Sequence, residues 1–271
     1  MAEKIEAQPL KLLPDNANLC FHDVITQVKG GQRLALYLDF DGTLVPLVPH
    51  PDDVRLPPAV RSDLIRLAGV VPVALVSGRD REDVARHVDI YGLIYAGSHG
   101  FDIYGPGLHY TVGDSFLPSL DGAEVWLRES LADVEGALVE RKRFGIALHT
   151  RMVAPAFHQR VQEAAVAAFR AYPGLRLTEG KEVFELRPDV SWDKGQAVLK
   201  LQRHLAERGE EFVPLFIGDD LTDEDAIRAI SGQGIAIRVT SEPVATEAGY
   251  RLDGPEDVAL FLHRLCDHLG A

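Results

Sequence analysis

The feature that most constrains this chain is a set of short apolar runs, each closed by Gly, Asp or Ser: "RLALYLDF", "VPVALVSG", "LIYAGSHG" and "FVPLFIGDD". A strand with one wet face alternates apolar and polar residues, whereas a strand buried on both faces does not. The runs therefore read as buried parallel strands, and "GIAIRV" adds a further one. Between them lie segments with helical periodicity, "PAVRSDLIRLAG", "DREDVARHV", "KGQAVLKLQRHLAERG" and "TDEDAIRAIS". Strands alternating with helices predict an open, largely parallel α/β sheet.

The middle of the chain follows another pattern. From about Phe116 to Arg187 the order is helix, two strands, helix, two strands. The first helix is expected near Gly122 to Val134, followed by a hairpin in "GALVERKRFGIALHT". The second is "APAFHQRVQEAAVAAFRAYP", followed by a hairpin from "LRLTEG" and "KEVFELRP". These strands do alternate, so one face of their sheet is expected to be wet. We read an inserted α+β domain over 116–188, with the core divided into 1–115 and 189–271 and an N-terminal arm over about 1–30. At 271 residues, one large or two modest domains can each bury a core.

In an open parallel sheet, ligands bind beyond the carboxyl ends of the strands. The polar residues gather there. Asp39 and Asp41 follow the first strand, Ser77, Gly78 and Arg79 the second, and Asp219, Asp220 and Asp223 the strand "FVPLFI"; Lys194 opens the helix after the insert. Converging carboxylates repel one another unless a cation sits among them, and hard oxygen ligands suit Mg²⁺. Each motif alone has a plain structural explanation as a turn, a cap or an acidic first helical turn. Their joint occurrence at strand ends points instead to a site.

With Mg²⁺ bound, Asp39 can attack phosphorus to give an aspartyl-phosphate. Asp41, two residues on, can protonate the leaving oxygen and later take a proton from water. Gly42 permits the tight turn beside them. Thr43, Ser77 and the loop at Gly78 can hold phosphoryl oxygens, and Lys194 supplies compensating positive charge.

At these residues the sequence resembles the haloacid dehalogenase superfamily of phosphohydrolases, through "DFDGTL", "SGR", Lys194 and "GDDLTDED". The resemblance implies an α/β fold with a Rossmann-like core, a parallel sheet and an inserted α+β cap. It implies Asp39 as nucleophile, Asp41 as acid/base, and a metal held by Asp39, the Asp41 backbone carbonyl and Asp219, with Asp223 in support. "GDDLTDEDAI", "AGSHGFDI", "ERKRFGIALHTR" and "GKEVFELRPDVSWDKGQA" are together similar to trehalose-6-phosphate phosphatases. That resemblance implies hydrolysis of trehalose 6-phosphate in trehalose biosynthesis, with sugar contacts from His149, Arg151, Lys181, Glu185 and Arg187 of the cap, and His99 as a further candidate. Two departures are Thr150, where an aromatic is common, and Ile227, where a phenylalanine is common.

Two apart on a strand, His149 and Arg151 are expected to share a face. Lys181, Glu185 and Arg187 are expected not to lie all on one face, leaving at least one for packing. Phosphatase action on another sugar phosphate or a glycosyl-phosphoglycerate is the alternative reading, and a non-catalytic sugar-phosphate sensor a second.

The formal charge of −13 argues against nucleic acid or an anionic membrane as partner. No apolar stretch has membrane-spanning length, and the first twenty residues lack the apolar core of a signal peptide. Cys20 and Cys266 have no metal-site spacing, consistent with a reduced cytoplasmic protein. A small sugar phosphate is the expected partner, and no protein partner is indicated.

Overall fold

The computed structural model describes residues 13–29, 32–48, 50–180, 182–209 and 211–271. The chain divides into a larger unit, Met1–Tyr110 with Trp192–Ala271, and a smaller one, Thr111–Ser191. It begins with β1 (Asp15–Asn16), α1 (Phe21–Thr26), β2 (Arg33–Leu38), α2 (Pro58–Ala68), β3 (Val73–Val76), α3 (Arg81–Val88), β4 (Ile94–Gly97), β5 (Asp102–Gly105) and β6 (Leu108–Thr111). The smaller unit follows with α4 (Leu117–Ser130), β7 (Leu138–Lys142), β8 (Gly145–His149), α5 (Pro155–Ala171), β9 (Leu175–Gly180) and β10 (Val183–Pro188). The chain then returns through α6 (Lys194–Glu207), β11 (Phe212–Gly218), α7 (Asp223–Ala229), β12 (Ile235–Val239), β13 (Tyr250–Leu252) and α8 (Pro255–Leu269).

The five apolar runs become β2, β3, β4, β11 and β12, and the main sheet has the order β1-β13-β12-β11-β2-β3-β4-β5-β6. From β1 to β4 every neighbouring pair is parallel. On one face Leu34, Leu36 and Leu38 of β2 pack with Leu64 and Leu67 of α2 and with Phe261, Leu262 and Leu265 of α8. Each such side chain contributes about 1.5–3 kcal/mol by leaving water. Ala35 and Tyr37, on the opposite face, are buried too, which is why the run carries no polar alternation.

The structure departs from the sequence reading in several places. The expected largely parallel sheet carries in addition an edge that the sequence reading lacks: after Gly97 the chain reverses through Ser98–Gly100 and β5 pairs antiparallel with β4. This edge hairpin needs no wholly apolar run, and Tyr104 on it is half exposed. Helix α8 was not anticipated, although its buried Val258, Phe261, Leu262 and Leu265 follow helical spacing. Residues 13–29, expected within an arm, belong to the core: Asp15 and Asn16 pair with β13, and Phe21, Val24 and Ile25 join the cluster beneath the sheet. Helix α4 starts five residues before the expected Gly122, with Pro118 in its first turn. Among the described residues no helix is long and apolar enough to cross a membrane.

In the smaller unit four antiparallel strands run in the order β7-β8-β10-β9. Leu120, Ala123 and Leu127 of α4, with Val161, Ala165 and Ala168 of α5, cover one face through Val139, Ile146, Leu148 and Leu186. The alternate residues of the same strands make the opposite face polar. Glu140, Lys142, His149, Thr178, Glu185 and Arg187 lie on it.

Candidate active site

Parallel neighbours bring strand ends to one edge. Leu38 of β2 stands opposite Ile217 of β11 and Leu75 of β3, so Asp39, Ser77 and Asp219 emerge side by side. The Asp39 amide still donates to Ile217 O at 2.9 Å, which fixes the exit direction of the chain. A tight loop follows, in which Leu44 and Val45 donate to Phe40 O and Gly42 donates to Val45 O. Gly42 has φ +80°, and a Cβ there would stand 2.1 Å from Asp219 Oδ2, so the two acidic segments fit only around glycine.

Lys194 is the first residue of α6, whose N-cap Asp193 accepts from the Gln196 amide at 2.8 Å. Its ammonium, 1 % exposed, donates to Asp39 Oδ1 and to Asp223 Oδ1, each at 2.7 Å, and lies 3.9 Å from Asp220 Oδ1. Asp39, Asp219 and Asp223 each bring a carboxylate oxygen within 4.8 Å of the others. Thr43 Oγ1 donates to Asp219 Oδ1 at 3.1 Å and so orients it. The loop 219–223 ties itself together: Asp220 Oδ1 accepts from Thr222 and from the Asp223 amide, and Asp223 Oδ2 accepts from the Asp220 amide.

Several carboxylates therefore share one buried ammonium, from the buried Asp39 and Asp223 to the half-exposed Asp220, and their acidities record it. Burial, together with Asp219 and Asp220 and against the pull of Lys194, pushes Asp39 up to about 7. Burial and the Asp223 and Asp220 charges push Asp219 up to about 6. Asp223 is raised well above the usual range, again chiefly by burial. Asp220 goes the other way: burial opposes it, but Lys194 and the hydrogen bonds from Thr222 and Asp223 bring it down to about 2. Lys194 is held as an ammonium, since the Asp223 and Asp39 charges outweigh its desolvation. A raised carboxyl pKa in such a cluster marks a shortage of positive charge. Hard, buried oxygen donors and a charge deficit together fit a divalent cation held by Asp39, Asp219 and Asp223.

Asp41 stands apart from that cluster. Both of its oxygens are taken by Arg79, whose remaining nitrogen Nη1 donates to Asp83 Oδ2 at 2.8 Å. A second group of possible ligands, Asp52, Asp83 and His87, lies beneath it, but Asp83 is already neutralised by Arg79 and Arg86. The loop at Ser77 is fixed by its neighbours: Ser77 Oγ accepts from the Arg79 amide at 3.1 Å, and Ser77 O from the His99 amide at 2.8 Å. The His99 ring lies against Gly78, where a Cβ would come within 2.9 Å of Cε1. Phe101 is wholly buried and Trp192 packs on Tyr110, so both serve packing.

On the polar face of the smaller unit, His149 Nε2 lies 2.7 Å from Glu140 Oε2, and Lys142 Nζ 3.4 Å from Glu185 Oε1. Arg187 Nε lies 3.8 Å from Glu185 Oε2, and Arg187 Nη2 donates to Thr178 Oγ1 at 3.4 Å. Glu185 and Arg187 share one face, because β10 alternates without a bulge, and neither belongs to the apolar cluster. One sequence expectation needs correction. Arg151 does not share a strand face with His149: β8 ends at His149, and Arg151 sits in the following turn, paired with Glu182 at 2.9 Å. Lys181 lies outside the described residues. Sequence reasoning missed Glu140 and Lys142, although their two-residue spacing in "LVERK", opposite the strand of His149, was a readable signal.

A family model described as trehalose-phosphatase matches residues 37–256. Over 263 residues the chain is 38 % identical to the probable trehalose-phosphate phosphatase D of Arabidopsis thaliana, covering 92 % of this chain and 71 % of that protein. Over 251 residues it is 43 % identical to the trehalose-phosphate phosphatase of Mycolicibacterium paratuberculosis, covering 88 % of this chain and 63 % of the relative. The C-terminal domain of the C. albicans trehalose-6-phosphate phosphatase superposes with a TM-score of 0.78 at 20 % identity, covering 95 % of this chain and 99 % of that one. A haloacid dehalogenase-like hydrolase from Bacteroides thetaiotaomicron superposes with a TM-score of 0.59 at 15 % identity, covering 86 % and 100 %. At such identities the structural likeness concerns the fold, which is haloacid dehalogenase-like: a mostly parallel main sheet with a small antiparallel insertion.

Proposed function

This chain belongs to the trehalose-phosphatase family, and from that membership we propose that it hydrolyses trehalose 6-phosphate to trehalose and inorganic phosphate with Mg²⁺ at Asp39, Asp219 and Asp223. The observation that carries the reading is Lys194, which bridges Asp39 and Asp223 inside a pocket still short of positive charge. Mg²⁺, when bound, offsets the repulsion between a carboxylate nucleophile and the phosphoryl oxygens.

The residues then divide the work. Asp39 Oδ attacks phosphorus, and the bond from phosphorus to the sugar oxygen breaks. Asp41, protonated for this step, gives its proton to that oxygen, so that a neutral hydroxyl leaves. In the second step water attacks the aspartyl-phosphate and Asp41 takes the water's proton. The acyl-phosphate P–O bond breaks, restoring the Asp39 carboxylate and releasing phosphate. Lys194, the Ser77–Gly78 loop and Thr43 stabilise the charge on the phosphoryl oxygens. The Asp41 backbone carbonyl would join Asp39, Asp219 and Asp223 in holding the metal.

The polar face of the smaller unit, with His149, Glu185 and Arg187, takes the sugar hydroxyls, and Glu140 and Lys142 belong to the same set. A carboxylate beside a cation can accept and orient several hydroxyls, and a sugar lacking one leaves a partner unsatisfied at about 1–3 kcal/mol. Arg151, Lys181 and His99 are proposed contacts as well.

The test is phosphate release from trehalose 6-phosphate by purified protein, with and without a chelator, beside a panel of other sugar phosphates. Release that needs Mg²⁺ and strongly prefers trehalose 6-phosphate supports the reading. Comparable rates across unrelated sugar phosphates overturn the substrate, and tight binding without turnover overturns the enzyme.

A further inference from the structure

We propose that Arg238 is a positioning residue for the metal-binding loop, acting through the backbone carbonyl of Asp220 between Asp219 and Asp223. It stands near the end of β12 directly opposite Gly218, the last residue of β11 before that loop. Its side chain is 6 % exposed. Nη1 donates to the Asp220 carbonyl oxygen and to Glu224 Oε1, the latter at 3.3 Å. Glu224 is itself fixed, since its Oε2 accepts from the Glu247 amide at 3.4 Å, and the Glu247 carboxylate is held by Arg228 at 3.0 Å.

Burying a guanidinium carries a desolvation penalty of several kcal/mol, which its partners must offset. Here the partners are one carboxylate and one loop carbonyl, so the charge is placed to hold that loop. What it holds has little tolerance. A Cβ at Gly218 would stand 2.3 Å from Asp223 Cγ, and the Asp220 amide donates to Asp223 Oδ2 at 2.9 Å. The held carbonyl and that amide lie on either side of the Asp220 Cα, so a shift of this residue would displace Asp223 on one side and Asp219 on the other.

Two effects of Arg238 on a cation oppose each other. Its positive charge repels a metal, while its hydrogen bond keeps the ligands converged. Glu224, at 3.3 Å, largely cancels the charge, so position decides. The inference rests on the proposed Mg²⁺ site, and partners of this kind typically contribute about 10–100-fold in metal affinity.

The experiment measures Mg²⁺ binding to the full chain by calorimetry, together with the Mg²⁺ dependence of phosphate release, for the parent, Arg238→Met, Arg238→Lys and Glu224→Gln. Arg238→Met should bind Mg²⁺ about 10–100-fold more weakly while its kcat at saturating Mg²⁺ stays within a few-fold of the parent. Arg238→Lys and Glu224→Gln, milder changes, should lie between; if Arg238→Met does not fold, these two carry the test. Folded variants that bind Mg²⁺ as tightly as the parent, or more tightly, overturn the inference and leave the metal site standing. A parent that binds no Mg²⁺ overturns the metal site and the inference with it.

Discussion

Arg79 holds both carboxylate oxygens of Asp41, with Nε 2.6 Å from Oδ2 and Nη2 2.8 Å from Oδ1, while Asp83 steadies the guanidinium from behind. This two-point fork fixes the direction of the Asp41 carboxylate. An acid/base that gives a proton to the leaving oxygen and then takes one from water must be aimed at the reacting atoms, and the fork supplies that aim. Arg79→Ala should therefore harm the reaction most where the leaving group needs a proton. Turnover of trehalose 6-phosphate, with its basic alkoxide, should fall about 10–100-fold. The burst of p-nitrophenol from p-nitrophenyl phosphate, whose leaving group departs unaided, should change by less than about three-fold. Equal losses in rapid-mixing measurements on both substrates would assign Arg79 a purely structural part.

Asp39→Asn should remove phosphate release by about 10⁴-fold or more, as removal of a covalent nucleophile does elsewhere. Asp223 still binds Lys194 in this variant, so the fold should persist. Circular dichroism alongside the phosphate assay checks both halves. Release near the parent rate from clean protein would remove Asp39 as nucleophile.

The pH dependence of the metal-free protein follows from the crowded carboxyls. Asp39 and Asp219 are pushed up to about 7 and about 6 from an ordinary 3.8, so the folded state binds protons that the unfolded state has already released. Their contribution to stability is complete below about pH 4 and is lost as pH rises through 6 and 7. In chelator, Asp219→Asn should accordingly melt higher than the parent at pH 8, with the gap closing towards pH 5. Mg²⁺ should raise the melting temperature of the parent and leave the variant nearly unmoved. Thermal unfolding across that range decides it, and a variant that melts below the parent at pH 8 would contradict the crowding.

Glu185 faces away from the core of the smaller unit, with Lys142 and Arg187 on either side. Glu185→Gln removes the charged acceptor and leaves those cations less well satisfied, a loss of about 1.4–2.8 kcal/mol if sugar hydroxyls bind there. The KM for trehalose 6-phosphate should rise about 10–100-fold, with p-nitrophenyl phosphate kinetics unchanged. Steady-state kinetics with the two substrates test this, and an unchanged KM would remove Glu185 from the sugar site.

Gly42→Ala should damage site and fold together. A left-handed backbone costs a non-glycine residue about 1–2 kcal/mol, and the new Cβ would stand 2.1 Å from Asp219 Oδ2. A melting temperature lower by about 3–6 °C, with weakened Mg²⁺ binding, is expected. Parent-like Mg²⁺ binding by calorimetry would show that the loop can yield.

What the sequence determined by itself was local. Short apolar runs without alternation, closed by Gly, Asp or Ser, read as strands buried on both faces, and β2, β3, β4, β11 and β12 formed there. Because parallel strands place their ends at one edge, Asp39, Ser77 and Asp219 could be assigned to one neighbourhood before any coordinate was known. The edge hairpin of β5 and β6 escaped notice because partly exposed strands lack that signature.

What only the tertiary structure decided was partnership. Lys194 meets Asp39 across 155 residues of chain, and Thr43 meets Asp219 across 176. Asp41 is taken by Arg79 rather than by the acidic cluster, Asp223 is locked on both oxygens, and the buried Arg238 grips the loop between two acids. Residue spacing encodes which way a side chain points along its own element. Which distant charge neutralises it depends on desolvation and ångström-scale geometry, and these exist only after the strands have packed.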